Sequence, residues 1–341
     1  MNKNIKLTSL LLAALLLLVN CAKVETLNLK SHTFNKVPEY VIWFQIAGLD
    51  EEHLAMLRFN LKNEESKTSF ESARCIGKAW VYNLYDLRPV SRNSFQAQLS
   101  SSKNIRGTCS DLNQKPFWSK IADETYQVGI FETGASKGQS FYNYSQCKND
   151  QFSKKFIIWS MSRPPNRKRS LILSEREYIP GAHYYDPSCK ESGVCYTNIQ
   201  NNALNIWKKF KDNNGRKIFI LRDYSYLNAL SRGKILEARE ILAEFEKIHK
   251  LFKSKLLLGK SKLLLVTSGA AQKFEFPKKG QDWARFEKYG EKIIYRSSSL
   301  LSPVIAEGDS SENFCGIFNE SEIGQRIFWT PSRKKLEVFN F

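Results

Sequence analysis

Six short runs of apolar residues, separated by segments with helical periodicity, constrain the fold of this chain more than any other feature. The runs lie at 40–46, 126–131, 155–161, 217–222, 262–267 and 292–296. Each run is almost continuously apolar, which is typical of strands that are covered on both faces of a mostly parallel sheet. The stretch 233–255 predicts the clearest helix, because its apolar residues recur at three- and four-residue steps. The pattern therefore predicts a three-layer α/β/α sandwich.

The first twenty residues are typical of an export signal. Two lysines precede a largely apolar run of thirteen residues, which is short for a membrane span. Cys21 follows almost directly, and the arrangement resembles a bacterial lipoprotein signal, in which this cysteine becomes the lipidated first residue. An ordinary signal peptide and an uncleaved anchor are the alternatives. We predict a signal over 1–20, a tether over 21–37 and one domain over 38–341. The resemblance implies a lipid-anchored envelope protein that faces the periplasm, with the outer membrane favoured over the inner.

The chain is strongly basic, with a formal net charge of +18 at pH 7. Outside the cytoplasm such a charge attracts anionic partners, so we expect an anionic lipid, an anionic glycan or a protein ligand. The basic clusters are not interleaved with aromatic residues, which argues against a specific nucleic-acid partner. Lysines that only keep the surface soluble are the alternative.

Cysteine usage agrees with export. Six cysteines remain besides Cys21, and an even number in an exported chain favours disulfides over a metal site. No C-x-x-C pair occurs in the sequence. Only Cys189 and Cys195 are close enough along the chain for a pairing to be predicted.

Four segments, in their order along the chain, resemble the alkaline phosphatase/sulfatase superfamily. The segment 40–54 resembles the family's first strand and turn, and 88–111 resembles the segment that carries the nucleophile. The segment 218–252 takes the place of an Asp-x-x-x-His motif and its following helix, and 263–271 is similar to a late strand that reads Thr-x-Asp-His-Gly. The resemblance implies an alkaline-phosphatase-like fold. Active members use a two-metal centre that is held mainly by carboxylates and imidazoles.

The positions that match the metal ligands of this family carry the wrong side chains. Ala47 stands where the first-strand Asp is expected, and Gly269 and Ala270 stand where the late Asp-His pair is expected. Asp223 matches the Asp of the middle segment, but Leu227 replaces its histidine partner. We therefore predict a catalytically degenerate member of the superfamily, with no metal and no other cofactor.

The match to the nucleophile segment places two serines at the start of a helix, Ser91 as the first candidate and Ser94 as the second. The free N–H groups at a helix start favour anions, and Arg88 and Arg92 flank the same turn. Without a metal or a base, a serine hydroxyl stays protonated and is a poor nucleophile. We predict that this group binds an anionic ligand, with Asp223 as a remnant of the metal site. Serines that only cap the helix are the alternative.

An active hydrolase is the alternative function. The stretch 134–138 matches the G-x-S-x-G pattern of a nucleophile elbow and follows a predicted strand. A metal-free esterase would use Ser91, or Ser136 together with His249 and either Asp186 or Asp223. A phosphate or sulfate ester hydrolase would need further ligands, and His183 is the one histidine that we consider for such a site. The missing ligands favour binding over catalysis.

Overall fold

The computed structural model describes most of the chain between residues 37 and 329. The described residues are 37–58, 67–113, 126–136, 138–141, 156–161, 170–172, 177–189, 195, 197–212, 215–256 and 261–329. All of them belong to one unit, Thr33–Phe341. The predicted signal over 1–20, Cys21 and all but the last residue of the tether over 21–37 lie outside the described residues, and these assignments stay predictions.

Ten of the twelve described strands form one central sheet. Its spatial order is β12–β2–β11–β8–β1–β7–β3–β4–β6–β5. Every neighbouring pair is parallel except for those of β11, which runs antiparallel to β2 and β8. The strands are β1 (Tyr40–Ala47), β2 (Cys75–Trp80), β3 (Tyr126–Thr133), β4 (Phe156–Ser160), β5 (Ser170–Ile172), β6 (His183–Tyr185), β7 (Arg216–Asp223), β8 (Lys262–Gly269), β11 (Leu301–Gly308) and β12 (Gly316–Asn319). The other two, β9 (Gln272–Glu275) and β10 (Ile294–Ser298), pair antiparallel in a separate sheet.

Helices follow most strands, as crossover connections between parallel strands require. They are α1 (Ala55–Arg58), α2 (Ser91–Ser100), α3 (Ile199–Phe210), α4 (Ser225–Ser231), α5 (Ile235–Leu251), α6 (Gly280–Tyr289) and α7 (Ile323–Arg326). Short 3₁₀ turns occur at Glu51–Leu54, Cys109–Asn113, Ser311–Phe314 and Glu320–Glu322, and a π turn at Phe252–Leu256 continues α5. No helix among the described residues is both long enough and apolar enough to cross a membrane.

The central strand β1 shows that the sheet is the middle of three layers. Its residues Ile42 and Phe44 belong to the core that α3, α4 and α5 cover, and the ring of Phe44 meets that of Phe245 edge-on at 6.3 Å. The intervening residue Trp43 belongs to a second core on the opposite face, which includes Leu99 of α2 and Ile323 of α7. Both faces are buried, which explains the continuous apolar runs in the sequence. The predicted three-layer α/β/α architecture is confirmed.

Five of the six predicted strands lie in the central sheet, and one prediction is wrong in placement. The run 292–296 does form a strand, β10, but it pairs only with β9 outside the central sheet. Five strands of the sheet, β2, β5, β6, β11 and β12, were not predicted. In β2, buried and more exposed residues alternate because this strand lies near the edge of the sheet, so its apolar signal is diluted.

Two disulfides join pairs of described residues. Cys189 and Cys195 are bonded, as the sequence predicts. A second bond joins Cys75, at the start of β2, to Cys315, just before β12, across 240 residues of sequence. Cys109 is also disulfide-bonded. Local spacing could not have revealed the bond between Cys75 and Cys315, because only the fold brings β2 and β12 together.

Candidate functional site

The residues that the resemblance singles out meet at one edge of the central sheet. Ala47, Asp223 and Gly269 are the last residues of the neighbouring strands β1, β7 and β8. Ala47 is the register partner of Gly269, and Ile46 is the register partner of Asp223. Helix α2 begins at Ser91 and packs against β8 at this edge. The carboxyl ends of parallel strands are where α/β proteins place their ligands, so this edge is the candidate site.

Glycine is required at the end of β8 because α2 lies directly against it. A Cβ atom at Gly269 would lie 3.0 Å from the Cβ and Oγ atoms of Ser94 and 3.0 Å from Cε1 of Phe95. These distances are shorter than ordinary van der Waals contacts. A carboxylate side chain at this position would displace the first turn of α2.

The space beside this contact is filled by apolar side chains. Ala47, Phe95 and Tyr224 form a small cluster in which every member is fully buried. The rings of Phe95 and Tyr224 meet edge-on with their centroids 5.7 Å apart. Leu227, the residue in the place of the expected histidine, packs against the same cluster. The ends of β1 and β7 are therefore closed by methyl, phenyl and phenol groups.

Asp223, the one surviving carboxylate, caps helix α4. Its Oδ1 atom accepts hydrogen bonds from the backbone N–H of Ser225, at 3.0 Å, and from the Ser225 hydroxyl. Its Oδ2 atom accepts from the backbone N–H of Tyr226 at 2.8 Å. Burial raises the pKa of Asp223 to about 6. The side chain stabilises a helix start, and its oxygens point at backbone donors.

These residues do not fit the two-metal centre that the fold family implies. Such a centre needs about six carboxylate or imidazole ligands, and the matching positions supply one carboxylate that is already hydrogen-bonded. Within the described part of the chain, no three His, Cys, Asp or Glu side chains come together in a way that could hold a metal. The described residues at this edge therefore do not supply the ligand set of a two-metal centre.

The two candidate serines have different surroundings. Ser91 is the first residue of α2 and is 2% exposed. The hydroxyl of Ser94 donates a hydrogen bond to Oε2 of Glu320, a buried carboxyl group whose pKa is raised to about 8 by burial. Neither serine caps α2, because the N-cap residue is Val90, which makes no side-chain capping bond. The alternative that these serines are N-caps is therefore wrong.

The two candidate arginines also differ. Arg92 donates from Nη1 to the carbonyl of Gly138 at 2.6 Å and from Nη2 to the carbonyl of Gly107 at 2.8 Å. Its guanidinium group therefore holds two loops against the start of α2. Arg88 is exposed, and among the described residues it makes no ion pair or hydrogen bond. Of the two, Arg88 is the one whose side chain can reach a ligand in solution.

The alternative serine-hydrolase triad is not assembled. Ser136 is exposed in a turn, where its backbone N–H donates to the side chain of Gln139. The Nδ1 atom of His249 lies 2.9 Å from the hydroxyl of Ser69, and its ring packs against Phe44 and Phe70 in the core. Asp186 accepts hydrogen bonds from Ser188, Thr197 and Asn202. Burial, together with nearby lysines, lowers the pKa of His249 to about 3. The serine that contacts its imidazole is Ser69 and not Ser136.

His183 lies away from the candidate site. It belongs to β6, which is separated from β1 by β7, β3 and β4 in the sheet. Neighbouring strands are about 4.8 Å apart, so roughly 19 Å of sheet separates β6 from β1. Burial lowers the pKa of His183 to about 4. The prediction of His183 as a site histidine is therefore wrong for this edge.

A row of buried polar side chains beneath the site was not predicted. Thr267, Gln45, Arg222 and Glu132 are successive register partners on β8, β1, β7 and β3. Arg222 Nε donates to Oε1 of Gln45 at 2.8 Å, and its Nη1 lies 3.5 Å from Oε1 of Glu132. We call these four residues the polar row.

Gln98 of α2 joins the polar row to the helix. It accepts from the Thr267 hydroxyl at 2.9 Å and from the side chain of Gln45 at 3.2 Å, and it donates to the carbonyl of Ser268 at 3.0 Å. Single polar residues at one level of otherwise apolar strands are the sequence signal that could have revealed this row.

The overall structure is similar to solved structures of alkaline phosphatases. The enzyme from Thermus thermophilus aligns with a TM-score of 0.67 at 10% identity, over 92% of this chain and 96% of that chain. The enzyme from the Antarctic bacterium TAB5 aligns with a TM-score of 0.63 at 14% identity, over 86% and 98%. The lipoteichoic acid synthase LtaP from Listeria monocytogenes aligns with a TM-score of 0.51 at 10% identity, over 92% and 78%.

These similarities lie in the structure and not in the sequence. No protein-family model matches the chain, and no curated protein matches it significantly. At identities of 10–14% the alignments describe the backbone arrangement and carry no information on activity. This chain therefore has an alkaline phosphatase-like fold.

Proposed function

We propose that this chain is a catalytically inactive relative of the alkaline phosphatase-like enzymes and that it binds an anionic ligand in the cell envelope. The observation that carries the proposal is the closed edge of the sheet, where Gly269 touches α2 and Ala47, Phe95 and Tyr224 fill the adjacent space. A two-metal reaction needs that space for ligands and ions.

The binding site that we propose lies at the start of α2. Arg88 supplies an exposed guanidinium group beside the positive end of the α2 dipole, and Ser91, which is 2% exposed, is the first residue of that helix. Arg92 acts as a positioning residue, because its bonds to Gly107 and Gly138 hold the surrounding loops. We expect a phosphate ester as ligand. Glycerol phosphate, a small phosphate monoester, serves as the probe.

The location that we propose is the periplasmic face of a membrane, with lipid on Cys21. The sequence of the first twenty-one residues supports this location. The disulfides at Cys75–Cys315 and Cys189–Cys195 agree with it, since such bonds persist in oxidising compartments.

The first test concerns catalysis. Protein purified from its native host is assayed with aryl phosphate, aryl sulfate and aryl ester substrates, with and without added zinc or manganese. We expect no turnover and no stoichiometric transition metal. Turnover that is abolished by Ser91→Ala or Ser136→Ala would establish the alternative, an active hydrolase.

The second test concerns binding. Glycerol phosphate is titrated into the protein and affinity is measured by calorimetry. Because a hydrogen bond to a charged group contributes about 1.5–3 kcal/mol, Arg88→Ala should weaken binding at least about tenfold. The control is Arg285→Ala, which removes an exposed arginine of α6 and leaves the start of α2 unchanged. Equal affinities in the two variants would place the ligand elsewhere.

A further inference from the structure

A loop before α2 exposes large apolar side chains to solvent. Between Tyr82 and Val90, a segment that we call the apolar loop, four such residues are 47–75% exposed. They are Leu84 (55%), Tyr85 (47%), Leu87 (75%) and Val90 (60%). Single exposed apolar residues are ordinary, but four within seven positions concentrate apolar surface on one loop, and such concentrations mark interaction sites.

The apolar loop is held in one conformation by its own hydrogen bonds. The side-chain oxygen of Asn83 accepts from the backbone N–H groups of Tyr85, at 2.8 Å, and Asp86, at 2.7 Å. The backbone N–H of Asn83 donates to the carbonyl of Asp86 at 3.0 Å. The backbone of Leu84 is bonded to the carbonyl of Lys103 at 3.0 Å. Exposure of the leucines is therefore a property of an ordered turn.

Cations surround the base of the loop. Nζ of Lys103 lies 4.3 Å from the centre of the Tyr82 ring, and the guanidinium group of Arg106 lies 4.8 Å from the centre of the Tyr85 ring. Arg88 lies within the loop itself and is exposed. Asp86 is the one acidic residue between positions 82 and 90. The loop therefore combines apolar tips, tyrosines and an excess of positive charge.

We propose that the apolar loop inserts into the surface of an anionic lipid bilayer. Apolar side chains at the tip, aromatic rings at the level of the headgroups and basic residues behind them are the arrangement that anionic membranes bind. The net charge of +18 favours the same partner. A neutral protein groove would match the leucines but would not need three cations beside them. This contact shares Arg88 with the proposed phosphate-ester site, but the apolar side chains that enter the bilayer are not part of that site.

The experiment measures binding to vesicles in the absence of the lipid anchor. The protein starts at residue 21 with the substitution Cys21→Ser, and it retains the whole unit Thr33–Phe341. Vesicles consist either of phosphatidylcholine mixed with phosphatidylglycerol or of phosphatidylcholine alone, and bound protein is separated by flotation. We expect binding to the anionic vesicles, weaker binding to the neutral ones, and a loss of at least about tenfold in Leu87→Ser.

The matched control is Ile179→Ser, since Ile179 is likewise an exposed aliphatic residue, at 55% against 75% for Leu87, but lies outside the loop. Equal vesicle binding by Leu87→Ser and Ile179→Ser would overturn the proposal. A wild-type protein that fails to float but self-associates, with the self-association lost in Leu87→Ser, would overturn it too and identify a contact between copies. Calorimetry with glycerol phosphate on Leu87→Ser separates this result from the proposed function, because that affinity should not change.

Discussion

The contact between Gly269 and α2 leads to a quantitative prediction for Gly269→Ala. The added Cβ would lie 3.0 Å from atoms of both Ser94 and Phe95, and the strand or the helix must move to admit it. Overpacking a buried site in this way costs about 1–3 kcal/mol. Alanine also lowers the conformational entropy of the unfolded chain, which offsets about 0.4–1 kcal/mol of this cost. Gly269 does not have a positive φ, so alanine can adopt its backbone conformation. We expect a net loss of roughly 1–2 kcal/mol in the free energy of unfolding.

The measurement is denaturant unfolding with the disulfides intact. The matched control is Gly280→Ala at the start of α6, where no atom lies within 4 Å of the added Cβ, and we expect no loss of stability there. If Gly269→Ala were as stable as Gly280→Ala, the close packing that we describe would be wrong.

Gly269→Asp extends the test to function. A carboxylate here would be buried beside the Ser94–Glu320 pair, and we expect lower stability than in Gly269→Ala and no stoichiometric zinc binding.

Three further predictions follow from buried or linking groups. Because burial raises the pKa of Glu320 from 4.5 to about 8, the folded protein keeps a proton that the unfolded chain loses between these values. Stability should therefore fall as pH rises from about 5 to 9, by on the order of a few kcal/mol, and Glu320→Gln should flatten this dependence in unfolding titrations. Arg92→Ala should lose about 1–3 kcal/mol and speed proteolysis of the loops whose carbonyls Arg92 binds. Cys75→Ser and the double variant Cys75→Ser/Cys315→Ser should each lose about 2–5 kcal/mol in the free energy of unfolding relative to wild type. Stability equal to that of wild type would show that the bond is dispensable.

The sequence predicts the layers of this fold better than the margins of its sheet. Central strands such as β1 and β8 are buried on both faces, so their apolar runs are continuous and easy to recognise. The edge strand β12 and its neighbour β2 are partly exposed and carry residues such as Lys78 and Asn319, which interrupt the apolar signal. Their place in the sheet depends on pairing between distant segments, which local periodicity does not contain.

The candidate site shows the same division. The resemblance in segment order correctly placed Ala47, Asp223 and Gly269 at one edge and Ser91 at a helix start. It did not reveal Glu320, because this residue lies 226 positions from its partner Ser94. The positioning role of Arg92 could not be predicted either, because it depends on two loop carbonyl groups whose location the sequence does not give.

The polar row has a consequence for how the chain reaches its native pairing. Strands that are apolar on both faces can slip past one another, since a shifted alignment still buries hydrophobic groups. In a slipped alignment of β1 and β7, Arg222 would face an aliphatic neighbour in place of Gln45, and a buried guanidinium group would lose its acceptor. Leaving a buried donor without its acceptor costs about 1–3 kcal/mol, and more for a charged group, which is a considerable part of a domain's whole stability. The polar row thus discriminates against misaligned intermediates, and chains carrying Gln45→Leu should fold with more trapped species than wild type.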